Sequence, residues 1–353
     1  MINIQDFFNT IQKAFVGNKP FVAFRNPTEQ KVVSLFQESD ELIFVKDFKE
    51  KGFVFAPFDS SKEAVLLNAD KRVEVEIEDA FFKFNTNSNI SFPEGKNAQE
   101  NHTDLVSKAI DFLKSEAISK VVVARIKEID TEINVVSIFQ ALLKKYEAAY
   151  VYIWFHPKVG LWVGASPEIL LKVNLGEFKT MSLAGTQKYT DTLDVNWGSK
   201  ELEEQQLVTD YVLSNLKSVT KSLRFSKVKT IKAGNLLHLK TDISGDLSES
   251  TSLKSIIHTL HPTPAICGFP KEKAQQFIFE NENFDRKYYT GFLGELNLQE
   301  KTSLFVNLRC MEIVDGRKAK IYVGGGITEK SNAEKEWEET VAKAKTMEAS
   351  FNS

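Results

Sequence analysis

The sequence predicts an α+β fold with a mainly antiparallel sheet structure, and three observations indicate it. Apolar runs rich in β-branched and aromatic residues recur along the chain, as expected for strands. Two of these runs, in YVYIWFHPKVGLWVGAS, are joined by a Pro and Gly turn, and two others flank an Asp-Gly turn, so neighbouring strands should pair antiparallel. Stretches with helical spacing lie between the runs without alternating strictly with them, which disfavours a parallel α/β sheet.

The first 84 residues are predicted to be rich in strands and to contribute no chemistry. After an amphipathic helix near residues 4–15, phenylalanine-rich runs indicate strands of an antiparallel sheet: PFVAFRNP, ELIFVKDF and GFVFAPFD. Residues 85–103 hold Asn, Ser, Pro and Gly but few apolar residues, which predicts a long loop. We therefore place the main boundary there, with residues 1–97 as the N-terminal part of the same body and residues 98–353 as the region that holds the candidate site.

Both helices and strands are predicted after this boundary, and we expect them to form one large body. Helical spacing of apolar residues is found at 104–117, at 138–150, at 199–220, near Leu253, near Ala274 and from Asn332 to Met347. Strands are predicted from SKVVVARI, YVYIWFHPKVGLWVGAS, SPEILLKV, EFKTMSLAGT, VKTIKAG, NLLHLK, YYTGFLGEL, SLFVNLRCMEIV and AKIYVGGGI.

The last of these helices follows three glycines and is the leading candidate for a functional surface. Ser331 as the N-cap and Glu334 three residues later predict a capping box. With 100° between residues, Glu336, Glu339 and Lys343 form a stripe at the border of the apolar face. A solvated face with one Glu to Lys pair is the simpler interpretation when the helix is considered alone.

Composition restricts the partners. A net charge of -3 shows no basic excess, so we expect neither a nucleic acid nor a membrane surface as partner. Cys267 and Cys310 lie far apart outside any CxxC pattern and should not form a disulfide. The first residues show no basic and apolar leader, and no run approaches about 18 apolar residues. We expect a cytoplasmic monomer that acts on small molecules.

Lys120 and Glu168 are candidates for acid–base chemistry. Lys120 precedes three valines, and contact with an apolar strand disfavours the charged ammonium, which is what a general base or an amine nucleophile requires. Glu168 follows a Gly, Ala, Ser and Pro stretch that closes a strand. The simpler interpretations are a solvated lysine at a strand end and a carboxylate in the first turn of a helix.

A rigid loop and an isolated arginine suggest a pocket wall. HPTPAICGFP, residues 261–270, contains three prolines and a glycine around apolar residues, which indicates a buried, rigid loop. Arg309 lies between apolar residues of a predicted strand, where a cation is costly unless it meets a carboxylate. Tyr289 and Tyr322 could supply phenolic donors.

Three carboxylates are candidate ligands of a hard cation. Glu204, Glu336 and Glu339 offer only oxygen, the donor that Mg²⁺ prefers. The glycines at 324–326 lack the GxGxxG spacing of a dinucleotide site, and no His and Cys cluster competes for a transition metal. A solvated glutamate remains the simpler interpretation of Glu204 alone.

Together these stretches resemble the chorismate-utilising enzymes, the family of isochorismate synthase, salicylate synthase, anthranilate synthase component I and aminodeoxychorismate synthase component I. The resemblance covers roughly residues 104–347. It rests on stretches in the same order along the chain: KVVVAR, GASPEILL, LAGT, SKELEEQ, LHPTPAICGFP, RKYYTGFLG, NLRCMEI and GGGITEKSNAEKEWEET. The resemblance implies a large α+β body with two antiparallel sheets face to face, helices outside and an active site in a deep cleft.

The resemblance also implies roles for the candidate residues, with chorismate as substrate and Mg²⁺ as cofactor. Lys120 would be the general base that activates water at ring carbon 2, and Glu168 the general acid for the hydroxyl at carbon 4. The metal ligands would be Glu204, Glu336 and Glu339. The remaining positions would bind the substrate: Gly185, Thr186, His261, Ala265, Ile266, Tyr289, Arg309, Tyr322, Gly324 and Lys343.

Within the family, the resemblance favours isochorismate synthase. Amine-adding members have glutamine where Lys120 stands, and aminodeoxychorismate synthases have a lysine where Ala184 stands. Salicylate synthase, which also eliminates pyruvate, is the nearest alternative; anthranilate synthase and a catalytically silent binding protein are further ones. The chain departs from the family pattern at Gln205, usually His, and at Asn332 and Ala333, usually Asp and Pro.

Overall fold

Two antiparallel sheets packed face to face form the body of the protein. The computed structural model describes residues 2–78, 81, 91–116 and 118–351. Within these residues every strand pair is antiparallel, including the pairing of β-strands that are far apart in sequence. The predicted α+β class with mainly antiparallel sheets is confirmed.

The first sheet contains the strand that begins at Lys120. Its strands, numbered along the whole chain, are β1 (Phe21–Arg25), β2 (Lys31–Phe36), β6 (Lys71–Glu76), β7 (Lys120–Asp130), β8 (Tyr150–His156), β9 (Gly160–Ser166), β15 (Gly268–Phe269), β18 (Cys310–Ile313) and β19 (Lys318–Ile327). From edge to edge their order is β15, β7, β19, β18, β9, β8, β1, β2 and β6.

The second sheet faces the first. Its strands are β3 (Ile43–Phe44), β4 (Gly52–Ala56), β5 (Val65–Leu67), β10 (Ile169–Asn174), β11 (Glu177–Lys188), β12 (Thr220–Phe225), β13 (Lys229–Ala233), β14 (Leu236–Leu247), β16 (Phe292–Leu298) and β17 (Lys301–Val306). Their order is β12, β14, β11, β10, β17, β16, β4, β5 and β3, and β13 also pairs with β14.

Aromatic side chains fill the space between the sheets. The ring of Tyr150 stacks on that of Phe305 with 4.0 Å between centroids, and the ring of Phe55 stacks on that of Tyr288 at 4.1 Å. Trp154 lies 4.6 Å from Phe55. Alternating residues of the facing strands point into this layer, which explains the many short phenylalanine-rich runs in the sequence.

Helices cover the outer faces of both sheets. They are α1 (Ile4–Val16), α2 (Ala98–Ser115), α3 (Val135–Lys145), α4 (Ser199–Leu216), α5 (Leu253–Leu260), α6 (Lys271–Asn281) and α7 (Ala333–Glu348). Helices α1, α3 and α7 pack on the first sheet, α4 and α5 on the second, and α2 and α6 on the end of the first sheet near β7. Among the described helices, none is both long and apolar enough to cross a membrane.

The N-terminal strands belong to both sheets rather than to one. β1 pairs with β8 of the first sheet, whereas β4 pairs with β16 of the second. The predicted loop at 85–103 is also shorter, because α2 begins at Ala98; residues 82–90 lie outside the described residues. The first turns of α2 are largely polar, so their helical period was not visible in the sequence.

The capping box predicted for α7 is wrong. Asn332 is the N-cap, and its side-chain oxygen accepts a hydrogen bond from the backbone N–H of Lys335 at 3.1 Å. Ser331 instead accepts from the backbone of Thr328, and Glu334 accepts from Gln99 of α2. Asparagine caps a helix as well as serine does, so the helix begins one residue later than the motif suggested.

Candidate active site

A cavity lined by both sheets, α4, α7 and the loop at 261–267 contains most of the predicted site residues. Those that line it are Glu168, Gly185, Thr186, Glu204, Ala265, Ile266, Tyr289, Arg309, Tyr322, Gly324, Glu339 and Lys343. Lys120 and Glu336 are not part of this lining, but Lys120 bonds to Glu204, and the Glu336 carboxylate lies near Gly325, both of which line the cavity. The tertiary structure therefore brings together groups that are more than 200 residues apart in sequence.

Lys120 is held by a buried ion pair. It is the first residue of β7 and is 1% exposed, and its Nζ lies 2.8 Å from Glu204 Oε1. Gly326 of β19 leaves room for both groups: a Cβ at that position would lie 2.6 Å from Lys120 Cε and 2.8 Å from Glu204 Oε1. A buried charge needs such a partner, and the solvated alternative for this lysine is wrong.

Glu168 is a buried acid that keeps its proton at neutral pH. It is 4% exposed and lies between β9 and β10 rather than in the first turn of a helix. Burial raises the pKa of its carboxyl to about 8, although the nearby charges of Lys120 and Arg309 act in the opposite direction. A carboxyl in this state can donate a proton, which is the function of a general acid.

Arg309 presents a cation to the cavity. It is partly buried, and desolvation lowers the pKa of its guanidinium, yet in the described part of the chain no carboxylate lies within ion-pair distance of it. A cation at this position is costly unless it meets a carboxylate, and an anionic ligand can supply one. A partly buried guanidinium that lines a cavity without a counter-ion is suited to an anion.

His238 of β14 orients this arginine and was missed by the sequence analysis. Its Nδ1 lies 2.8 Å from the Gly185 carbonyl oxygen, which can only accept, so Nδ1 holds the proton. Its Nε2 then accepts from Arg309 Nη2 at 3.3 Å. Burial and the charge of Arg309 lower the pKa of His238 to about 3, so the ring stays neutral. The one available signal was a histidine inside the apolar strand NLLHLK.

Two of the acidic residues of α7, Glu336 and Glu339, approach Gly325, and each has a lysine partner. A Cβ at Gly325 would lie 3.4 Å from Glu336 Oε2 and 3.7 Å from Glu339 Oε1. Glu336 contacts Lys200, and Glu339 lies 2.5 Å from Lys343 Nζ. Burial and the charge of Glu339 raise the pKa of Glu336. Burial acts in the same direction on Glu339, but Lys343, together with a smaller contribution from Lys200, lowers the pKa of that carboxyl overall.

These carboxylates fit a hard cation by donor chemistry. Within the described residues, no group of three or more His, Cys, Asp or Glu side chains has the convergent arrangement of a finished metal site. Glu204, Glu336 and Glu339 nevertheless border adjacent glycines, and all their donors are oxygen. Gln205 does not compete with them, because it bonds to Ser182 and neighbours in the packing of α4.

Two predicted contacts differ in the structure. His261 lies outside the cavity: its Nε2 is 3.0 Å from the Thr290 carbonyl oxygen, and its ring lines a separate cavity beside Phe292. Tyr322 lines the cavity, but its hydroxyl lies 3.1 Å from Glu312 Oε2, outside the lining. Tyr322 therefore contributes the face or edge of its ring, while its phenolic donor is already used.

Comparison with known proteins identifies the family. A sequence profile described as "Chorismate binding enzyme" matches residues 58–352, which is most of the chain. The chain belongs to the chorismate-binding enzyme family. The predicted resemblance is confirmed.

Several family members are similar over much of their length. The vibriobactin-specific isochorismate synthase of Vibrio cholerae is 32% identical over 73% of this chain and 67% of its own. The isochorismate synthase EntC of Escherichia coli K12 is 26% identical over 97% of this chain and 93% of its own. The solved structure of MenF, the menaquinone-specific isochorismate synthase of Escherichia coli, has the same fold, with a TM-score of 0.76 over 94% of this chain and 88% of its own and 20% identity.

Gly326→Ala tests the close packing around Lys120. The new methyl group would overlap Lys120 Cε and Glu204 Oε1, so we expect a loss of about 1–3 kcal/mol in the free energy of unfolding, measured by urea denaturation. Gly316→Ala is the matched control, because nothing lies within 4 Å of its added Cβ. Equal stability of the two variants would contradict the packing.

Glu168→Gln tests the buried acid without reference to catalysis. Since the pKa is raised from 4.5 to about 8 in the folded protein, the stability that Glu168 contributes is complete below 4.5 and is lost as pH rises through 8. Relative to wild type, the variant should therefore gain up to about 1.4 kcal/mol of unfolding free energy per pH unit across this window. Urea denaturation at several pH values measures it, with exposed Glu334→Gln as control; a pH-independent difference would refute the raised pKa.

Proposed function

We propose that this protein is an isochorismate synthase, which converts chorismate to isochorismate. The observation that supports this most is the position, beside one cavity, of a buried amine at Lys120 and a buried, protonated carboxyl at Glu168. Such groups suit a reaction that removes one proton and delivers another. Arg309, a cation without a carboxylate partner among the described residues, supplies the attraction for an anionic substrate.

In the proposed reaction, Lys120 in its neutral form takes a proton from a water molecule that attacks ring carbon 2. The double bonds of the ring shift, and the hydroxyl at carbon 4 leaves with the proton of Glu168. One water enters and one leaves, so the product is an isomer of the substrate. The hydrogen bond from Nζ to Glu204 Oε1 fixes the position of Lys120, and burial keeps Glu168 protonated until it donates its proton.

Substrate binding is assigned to the cations and walls of the cavity. Arg309 and Tyr289 would hold the enolpyruvyl carboxylate, with His238 fixing the direction of Arg309. The cavity walls would be formed by Gly185, Thr186, Ala265, Ile266, Tyr322, Gly324 and Lys343. His261 would act through Thr290 rather than by contact. The names of the relatives agree with this substrate.

Mg²⁺ is the proposed cofactor. Glu204, Glu336 and Glu339 would hold it, and when bound it would neutralise the ring carboxylate of the substrate. Each of these carboxylates has a lysine partner in the structure, so metal binding requires exchange of at least some of these contacts.

The products distinguish the proposed reaction from its alternatives. Pure protein with chorismate and Mg²⁺ should form isochorismate without pyruvate, as resolved by chromatography and a coupled pyruvate assay. Stoichiometric pyruvate would instead indicate salicylate synthase, and a product that requires ammonia would indicate anthranilate synthase.

Lys120→Ala should lower kcat on the order of 10²- to 10⁴-fold because the base is lost. A variant as fast as wild type would eliminate Lys120 as base.

Glu339→Gln tests the proposed metal ligand. Loss of one anionic oxygen should raise the Mg²⁺ concentration needed for half-maximal activity, and excess Mg²⁺ should restore part of the rate. Glu334→Gln on the same helix is the matched control, since this exposed side chain contacts Gln99 instead. If both variants have the wild-type Mg²⁺ dependence, Glu339 is not a ligand.

A further inference from the structure

Arg286 and Glu282 form a fully buried pair behind the cavity. Arg286 Nε lies 2.8 Å from Glu282 Oε2, and its Nη2 lies 2.5 Å from Oε1, so the two side chains meet through two parallel hydrogen bonds. Their side chains are 2% and 1% exposed. Neither residue lines the cavity, and no proposed catalytic step uses them.

The remaining donors of Arg286 reach three separate segments. Nη2 donates to the Val122 carbonyl oxygen at 2.8 Å, and Nη1 donates to the Ile266 carbonyl oxygen at 3.1 Å and to Thr290 Oγ1 at 3.3 Å. Val122, Ile266 and Thr290 all line the cavity. One guanidinium therefore connects β7, the rigid proline-rich loop and the segment that contains Tyr289.

Glu282 adds a second connection to the strand of Lys120. Its Oε1 accepts a hydrogen bond from the backbone N–H of Ala124 at 2.8 Å. With the Val122 carbonyl bonded to Arg286, the pair holds β7 at two residues that follow Lys120 closely in sequence. The Phe58 ring, 4.6 Å from the guanidinium carbon, closes the other side. The first residues of β7 are thus held by this pair in addition to the ladders with β15 and β19.

The Arg286–Glu282 pair is expected to contribute more to the geometry of the cavity than to the stability of the fold. Buried ion pairs add little net stability, because desolvation offsets their attraction, but removal of one partner alone leaves an uncompensated charge. Arg286 and Glu282 neutralise each other, so they add no net charge beside a cavity that is to bind an anion. Their main contribution is therefore the direction that their hydrogen bonds impose on three segments of the cavity wall.

We propose that Arg286 and Glu282 are positioning residues that set the distance between Lys120 and the cavity wall formed by Ile266 and Tyr289. This inference rests on the proposed function, in which Lys120 acts as the base and that wall binds the substrate. Displacement of a reacting group by about 1 Å can lower the rate on the order of 100-fold. The pair therefore acts on turnover through backbone positions without touching the substrate.

The decisive variant is the double substitution Arg286→Met with Glu282→Leu. It removes both charges together, so no unpaired ion is left, although one backbone N–H and two carbonyl groups lose these partners. We therefore expect a protein that is less stable but folded at 25 °C, as checked by circular dichroism and thermal melting. We expect kcat to fall on the order of 100-fold, with a much smaller rise in KM, because the hydrogen bonds to Val122, Ala124 and Ile266 are lost. Arg286→Lys, which keeps the charge but not the fork, should recover little of this loss.

Lys127→Met is the matched control. Lys127 is also buried on β7, where it pairs with Glu348 at 2.8 Å, but neither residue lines the cavity. This variant should lose stability and keep the wild-type kcat and KM. A folded double variant with wild-type kcat would overturn the proposal, as would a Lys127→Met variant with the same loss of kcat at 25 °C, where both proteins are folded.

The outcome is independent of the product assay. If wild-type protein forms no isochorismate, the proposed function fails, and the positioning role is then judged by chorismate binding in calorimetry. In that case weaker binding by the double variant than by Lys127→Met supports a role in cavity geometry, and equal binding refutes it.

Discussion

The pairing of β7 with β19 is the constraint on which the site depends. It places Val122 opposite Gly326 within a long antiparallel ladder, so that glycines lie beside the strand that begins at Lys120. Because Gly326 has no side chain, Lys120 and Glu204 can meet across it, and the carboxylates of α7 approach the neighbouring Gly325. Side chains at these positions would occupy the space in which the charged groups lie.

The charges around the cavity follow from unequal burial and unequal pairing. Burial removes Glu168 from solvent and keeps its carboxyl neutral, whereas Glu204 contacts Lys120. Arg309 is partly buried and has a neutral His238 as its partner, so it faces the cavity as a cation that no described carboxylate neutralises. A protein with a net charge of -3 can in this way present a local attraction to an anion.

Much of the fold could be predicted from local patterns, and the errors of that prediction have physical causes. The apolar runs identified most strands, since residues that alternate between two faces produce a period visible in sequence. The assignment of the N-terminal strands to one sheet failed, because β1 and β4 pair with strands more than 100 residues away. The capping error at Ser331 arose because adjacent Ser and Asn are equally good caps.

The sequence by itself determined the family, since ordered motifs identify shared ancestry without coordinates, and it supplied most of the residues that line the cavity. Only the tertiary structure decided which of their atoms are available. In the structure the hydroxyl of Tyr322 donates to Glu312, His261 lies outside the cavity, and His238 lines it. The physical reason is that burial, hydrogen-bond direction and pKa depend on neighbours in space, which a linear pattern does not specify.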